Sequence, residues 1–397
     1  MLAALGAALD GSGPAILPLD PALSGPALRR MLETLAPSTI LTTDETGSPA
    51  VTSLHPAGQA VAEEIAVVIA TSGSTGAPKG VELSATALTA SATASLRRIG
   101  ARPGERWLCC LPTFHIAGLG VLARSLVSGT DPVIVPGADS QLIGSGGCAH
   151  VSLVPTQLRR LLAARCEPEG IRTVLLGGAA AAGDLLSAAR AAGWPVVTTY
   201  GMSETCGGCV YDGMPLDGVS AMPDPADGRV LIGGPVLFSG YRLRPDLTAS
   251  ALAGGRFRTA DLGYLTADGS LVIRGRADDV INTGGEKVVP GEVEAVLGTA
   301  PGVADVVVVG VPDAEWGEQV AAFVVAEDPA VPPDLERLRA NVRQALSAYA
   351  APRKLFVMPV FPLLPSGKPD RSALRDFAMR DTATQDQGAR ETGHQLP

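Results

Sequence analysis

The strongest constraint on this chain is a glycine- and hydroxyl-rich stretch that follows directly on an apolar run. Ile65 to Ala70 is uninterruptedly apolar and reads as a buried strand. It runs into Thr71-Ser72-Gly73-Ser74-Thr75-Gly76-Ala77-Pro78-Lys79-Gly80. Glycines let backbone N–H groups approach a ligand closely, and hydroxyls and an ammonium add donors, a combination that suits a phosphate chain. The stretch is not a Walker loop, because Pro78 precedes Lys79 and Gly80 follows it where Ser or Thr is required. On its own it is also compatible with a flexible surface turn.

A chain of 397 residues predicts two domains, or one large and one small. With 46% hydrophobic and 18% charged residues it has the balance of a globular enzyme with a large core. The net charge of −9, without a basic cluster, argues against nucleic acid as a partner. Met1 to Asp10 is apolar but no Lys or Arg precedes Arg29, so a secretory n-region is lacking. No apolar stretch is long enough to span a bilayer, so the expectation is a cytoplasmic protein without membrane insertion. Cys206-Gly207-Gly208-Cys209 is a CxxC, but no second CxxC or nearby His completes a metal site, and small buried thiols are the simpler reading.

Along the chain, Ala27–Leu35 predicts a helix and Thr39–Thr43 a short strand. A helix begins near Ser84, a suitable N-cap, with a stripe of Leu88, Ala92, Leu96 and Ile99. A strand over 106–111 leads through Pro112-Thr113-Phe114-His115 into a helix over about 118–127. On that helix Leu119, Leu122 and Leu126 form the apolar face, and Arg124 falls about 140° from Leu119, away from the stripe. Strands and helices then alternate to residue 199, which argues for an α/β domain with largely parallel sheets and a ligand site at the carboxyl ends of the strands. From Gly228 short strands and turns dominate, including a hairpin over 262–273 turning at Ala267-Asp268-Gly269. After a polar joint at 275–279 comes a small α+β unit, with a helix over 334–347 carrying Leu335, Leu338, Val342 and Leu346. The expected organisation is a large α/β domain over 1–276 with a β-rich subdomain, a small mobile C-terminal lid over 278–377, and a disordered polar tail over 378–397.

Five stretches in one order carry a resemblance: Thr71–Gly80, Tyr200–Thr205, Arg258–Leu262, Gly275–Glu294 and Pro365–Lys368. Together they resemble the adenylate-forming superfamily of acyl-CoA synthetases, peptide-synthetase adenylation domains and luciferases. Ala260 stands where that family usually has Gly, and the N-terminal region is shorter than usual. The resemblance implies that a carboxylate attacks the α-phosphate of ATP, giving an acyl-adenylate and pyrophosphate, and that a thiol, usually of CoA, displaces AMP. Such chemistry needs positioning, charge stabilisation and Mg²⁺, and no protein nucleophile.

Carried onto this sequence, the resemblance puts Thr71, Ser72, Gly73, Ser74, Thr75, Gly76 and Lys79 on the β- and γ-phosphates. It makes Glu204 the Mg²⁺ carboxylate, with Thr205 beside the α-phosphate. Gly178, Ala179, Tyr200 and Gly201 would line the nucleotide, Asp261 would accept from the ribose hydroxyls, and Arg276 would lie close by. Lys368 is the implied adenylation lysine, Asp278 the hinge, and Gly284-Gly285 the border of the CoA channel. Taken singly, a Glu after a strand or a Lys in a Pro/Gly loop is ordinarily solvated.

Cys206 to Gly213, continuing to Val219, and Pro112 to Gly118 resemble actinobacterial-type o-succinylbenzoate–CoA ligases of menaquinone biosynthesis. That acid has two carboxylates, one activated and one in need of a cationic partner. Arg124, nine residues beyond His115, occupies the position of a basic residue in those ligases, and an Arg fork suits a carboxylate. His115 would act as an aromatic gate near the acyl group. The alternatives are an exposed helix arginine and an ordinary core or surface histidine. A CoA ligase for another aryl or acyl acid, or an adenylation module loading a carrier protein, stays open. Oligomeric state is left open between monomer and homodimer.

Overall fold

Seven strands form the central sheet, in the order Met214–Pro215, Gly207–Tyr211, Val196–Met202, Thr173–Leu176, His150–Leu153, Trp107–Cys109 and Val133–Ile134. The five strands from Val196 onward in that order are parallel, and the two at the other edge are antiparallel. Three central strands, Trp107–Cys109, His150–Leu153 and Thr173–Leu176, are buried at every position, as expected for a sheet covered on both faces. Alternation sorts their side chains. Trp107 and Cys109 join a core with helices Ala85–Arg98 and Ile116–Ser128, while Leu108, Val151, Leu153, Val174 and Leu176 join a core with helices Pro155–Ala163 and Gly183–Ala191. The structure is a computed structural model, and it describes all residues except 44–48, 55–57, 73–77, 139–142, 144–146, 182, 365–367 and 393–397.

The two smaller sheets beside it are built from antiparallel strand pairs. Strand Ile65–Ser72 pairs antiparallel with Pro78–Ser84, which pairs with Gly240–Tyr241. The glycine-rich stretch therefore joins the arms of a hairpin, with Ser72 opposite Pro78, and does not open a helix. A third, antiparallel sheet holds Ser220–Pro223, Arg229–Gly233, Arg256–Leu265 and Leu271–Arg276, and forms the β-rich subdomain.

Beyond a 3₁₀ turn at Ala277–Asp279, the C-terminal unit has its own sheet, in the order Glu286–Val288, Ile281–Thr283, Gly317–Ala326 and Val303–Asp313. Lys354–Val357 runs parallel to Gly317–Ala326. Helices Pro290–Leu297 and Leu335–Ala345 cover one face, and the C-terminal helix covers the other through Leu374 and Ala378. That helix spans Arg371–Thr392, so the segment expected as a disordered tail is helical as far as residue 392. Its composition is polar but rich in good helix formers (Ala, Arg, Met, Gln), and the buried Leu374 and Ala378 anchor its first turns. The two units meet closely at the joint: Arg274 makes a bidentate pair with Glu292 (2.6 and 3.0 Å), and a Cβ at Gly275 would lie 2.6 Å from Val289 Cγ1.

The N-terminal region docks on the hairpin. Helix Leu2–Asp10 buries Leu5 and Ala8, and Ile16 bridges Val67 in parallel. Arg242, 5% exposed, gathers this region by donating to the carbonyls of Leu35, Ala36 and Gln59 and to Glu82. Removing a buried charge-paired guanidinium leaves those acceptors without their donor. Arg242→Met is expected to destabilise the protein by about 3–5 kcal/mol, read as a lower urea midpoint with an unchanged slope.

Candidate active site

The carboxyl ends of the parallel strands and the hairpin arms bring together side chains from four parts of the chain. Val196–Met202 ends in the 3₁₀ turn Ser203–Thr205, which presents Glu204. Tyr241 donates its hydroxyl hydrogen to Glu204 Oε1 at 2.8 Å. Lys79 Nζ lies 5.4 Å from the centroid of the same Tyr241 ring. One tyrosine thus links the lysine of the glycine-rich stretch to the carboxylate of the turn. Burial pushes the Tyr241 phenol up, and the Glu204 charge adds to this, so it stays a donor.

A second tyrosine–carboxylate pair repeats this arrangement. Tyr200 donates to Asp261 Oδ2 at 2.8 Å, and burial, reinforced by Asp261, raises its pKa. Asp261 also faces Arg276 across the hairpin register, at 3.8 Å. Arg276 divides itself between Asp261 and Asp278, the latter at 3.3 Å, and Arg229 approaches Asp278 from the other side at 3.8 Å. Arg276 and Asp278 are about half exposed, so these pairs contribute little to stability, but they connect the expected ribose carboxylate to the joint.

Lys368 is exposed by surface area, yet it stands among enough protein that desolvation lowers its pKa. The Asp261 charge opposes that shift and Arg276 adds to it, which puts the ammonium within their electrostatic reach. His115, at the N-cap of helix Ile116–Ser128, has a buried Nε2 without a hydrogen-bond partner among the described residues. Burial lowers its pKa, Asp20 opposes this and Lys368 reinforces it, so the ring is neutral at pH 7.

The packing around several of these residues is specific. Arg124 is neither exposed nor turned away from the core: it is 9% exposed and faces the sheet. The three-leucine stripe misleads because the helix is covered on both sides, by helix Ala85–Arg98 and by the sheet, so residues 118 to 125 are all buried. The Thr205 hydroxyl does not face open space. It accepts from Met202 N–H (2.9 Å) and lies 3.1 Å from the Met202 and 2.7 Å from the Gly207 carbonyl oxygens. Thr205 is fully buried and holds the turn that displays Glu204. Gly201 is required by packing, because a Cβ there would collide with the Gly207 carbonyl. Gly284-Gly285, both at positive φ, form the two-residue turn of a hairpin, and a Cβ at Gly284 would lie 2.5 Å from the Trp316 ring.

Gly178, at φ +84°, and Ala179 lie exposed beyond strand Thr173–Leu176. Gly73, Ser74, Thr75 and Gly76 lie outside the described residues, and of Ser72 only the strand backbone is described. Thr71 Oγ1 donates to the Lys79 carbonyl at 3.4 Å. Cys206 and Cys209 are both buried, with thiol pKa values pushed up by burial, for Cys209 to about 12. Among the described residues no group of three or more His, Cys, Asp or Glu is placed to hold a metal ion. A single carboxylate fits Mg²⁺ delivered on a triphosphate, which keeps phosphate and water ligands. Tyr241, Trp107 and Ser152 are the site neighbours that the sequence reading missed. The signal available for the first two was rarity, since the chain has only five Tyr and three Trp.

The chain matches the AMP-binding enzyme family over residues 48–275 and the AMP-binding enzyme C-terminal domain over 292–368. It belongs to the AMP-binding enzyme family. Among its relatives, it is 47% identical over 340 residues to the probable 2-succinylbenzoate–CoA ligase of Mycobacterium tuberculosis, covering 81% of this chain and 87% of that protein. The o-succinylbenzoate CoA synthetase (MenE) of Bacillus subtilis, solved with the acyl-adenylate intermediate OSB-AMP, superposes with a TM-score of 0.72 at 32% identity, over 82% of this chain and 72% of that one. ATP-bound MatB of Rhodopseudomonas palustris superposes with a TM-score of 0.83 at 26% identity, over 95% and 86% of the two chains.

Replacing Tyr241 by Phe keeps the ring beside Lys79 and deletes the bond to Glu204. A hydrogen bond to a charged group of this kind predicts a rise of about tenfold or more in the KM for MgATP in Tyr241→Phe, with Tm little changed. An unchanged KM would make this bond a packing feature only.

Proposed function

We propose that this chain is a 2-succinylbenzoate–CoA ligase acting in menaquinone biosynthesis in the cytoplasm. The observation that carries the substrate reading is Arg124. Its guanidinium is buried, its Nε has no hydrogen-bond partner among the described residues, and Ser152 Oγ accepts from its Nη2 at 3.0 Å. A buried cation without an anion is costly, and a dicarboxylic acid brings the missing charge. Arg124 starts nine residues from His115, about 13.5 Å along the helix, but its side chain leans back toward the helix N-terminus and the strand ends. A Cβ at Gly120, one turn earlier, would lie 3.4 Å from Arg124 Nη1.

In this reading Thr71, Ser72 and Lys79 meet the β- and γ-phosphates, and Asp261, oriented by Tyr200, accepts from the ribose. Glu204, oriented by Tyr241, is the residue that would hold Mg²⁺, which screens the triphosphate charge when bound. His115 walls the acyl group. Lys368 stabilises charge as a carboxylate oxygen of the acid bonds to the α-phosphorus and pyrophosphate leaves. For the second step the CoA thiol, losing its proton, bonds to the acyl carbon and AMP leaves. Asp278 is the hinge about which the lid turns between the steps, and Gly284-Gly285 then borders the pantetheine.

A panel of acids assayed for pyrophosphate and AMP release with and without CoA tests this. 2-Succinylbenzoate should drive both steps, and simple benzoates neither. Turnover only onto a carrier protein's pantetheine arm would replace the CoA reading. Lys368→Ala is expected to lower adenylate formation by about 10²–10³-fold while sparing thioester formation from preformed adenylate. Arg124→Ala should raise the KM for 2-succinylbenzoate by about tenfold or more and leave that for ATP within about twofold, the loss of a charged hydrogen-bonding partner for one substrate only.

A further inference from the structure

Among the described residues no anion pairs with the buried guanidinium of Arg124, which lies against a ring instead. Its Cζ lies 4.3 Å from the centroid of the Trp107 ring, and Trp107 is fully buried. Trp107 in turn is braced. It pairs in register with His150 on the neighbouring parallel strand, and the two rings stand 4.9 Å apart, tilted by 36°. His150, also fully buried, lies with its Nε2 3.1 Å from Glu105 Oε2, and Glu105 is paired with Arg172. Two residues along the same strand, on the same face, Ser152 takes the Arg124 Nη2 hydrogen at 3.0 Å. The result is a series of contacts, Glu105 to His150, His150 to Trp107 and Trp107 to Arg124, with Trp107 and His150 side by side at the first positions of their strands.

We propose that Trp107 is a positioning residue for acid selection, its indole face holding the Arg124 guanidinium charged, flat and ready for the second carboxylate of a diacid. The proposal rests on the reading of Arg124 given above. A cation over a tryptophan face gains most where water is excluded, and the ring leaves the charge unneutralised. A carboxylate in Trp107's place would also hold the arginine, but it would cancel the charge that recruits the substrate. Ser152, a neutral acceptor, likewise fixes one edge of the fork without cancelling its charge. The stack accounts for a cation being tolerated in the core.

The test uses Trp107→Phe and Trp107→Leu in the full chain, alone and combined with Arg124→Ala. Each is assayed with 2-succinylbenzoate and with 4-oxo-4-phenylbutanoate, which lacks the ring carboxylate. Trp107→Leu is expected to raise the KM for the diacid by about tenfold, with Trp107→Phe between it and the parent, and to leave the KM for ATP and the mono-acid kcat/KM within about twofold. In the Arg124→Ala background the same change should add less than about twofold to the diacid KM, because the partner is already gone. If Trp107→Leu does not fold, the Phe variant and its double mutant carry the same comparison. Equal losses with diacid and mono-acid, or the same added factor with and without Arg124, would reduce Trp107 to packing and overturn the proposal. An Arg124→Ala enzyme with an unchanged diacid KM would remove the underlying reading and the proposal with it. An Arg124→Ala effect with silent Trp107 variants would overturn the proposal alone.

Discussion

Two carboxylates held by two half-buried tyrosines are the constraint around which the site is arranged. Glu204 lies in the turn after the central sheet's strand Val196–Met202 and Asp261 on a strand of another sheet, and each accepts a phenol hydrogen at 2.8 Å, from Tyr241 and Tyr200. A carboxylate beside a polyanionic nucleotide is tolerable only if its orientation is fixed and its lone pairs are aimed. A phenol does this without neutralising the charge, as a lysine or arginine in its place would. Burial raises both phenol pKa values, so the hydrogens remain on the tyrosines across the physiological range. Lys79, beside the Tyr241 ring, and Arg276, beside Asp261, add positive charge at a distance where it is still available to a ligand.

The same economy of charge recurs at the joint and in the core. Arg276 serves both Asp261 and Asp278, so the ribose side of the site and the start of the lid share one guanidinium. The C-terminal unit is attached at the joint by the Arg274–Glu292 pair and by close backbone packing at Gly275 and Gly291. Arg124 is the extreme case, a buried cation whose neighbours are a ring and a hydroxyl. In each place the protein orients a charge and leaves it available.

Local signals located most of the architecture. The strand Thr39–Thr43, the cap at Ser84 and the hairpin turning near Asp268 follow from residue chemistry within a few positions, and the structure has them. The structure sets Lys79 and Glu204 about one tyrosine ring, Tyr241, and pairs Asp261 with Arg276. Periodicity failed on helix Ile116–Ser128. Counting one apolar stripe assumes one buried face, whereas this helix is enclosed by another helix and the sheet, so the supposed polar side is core. Polarity misled at the C-terminus too, where helix propensity and two anchoring residues outweigh a polar composition.

By itself the sequence determined the class of chemistry, because phosphate-binding hydroxyls, a strand-end carboxylate and a loop lysine are recognisable by residue type and order. It also determined the element types, which depend on neighbours within a turn or two. Only the tertiary structure decided which groups touch. Tyr241 meets Glu204 across 37 positions and Arg124 meets Trp107 and Ser152 through helix-on-sheet packing, while Thr205 spends its hydroxyl inside its own turn. Such pairings are set by how sheets and helices stack, and stacking is a property of the whole chain that no local pattern encodes.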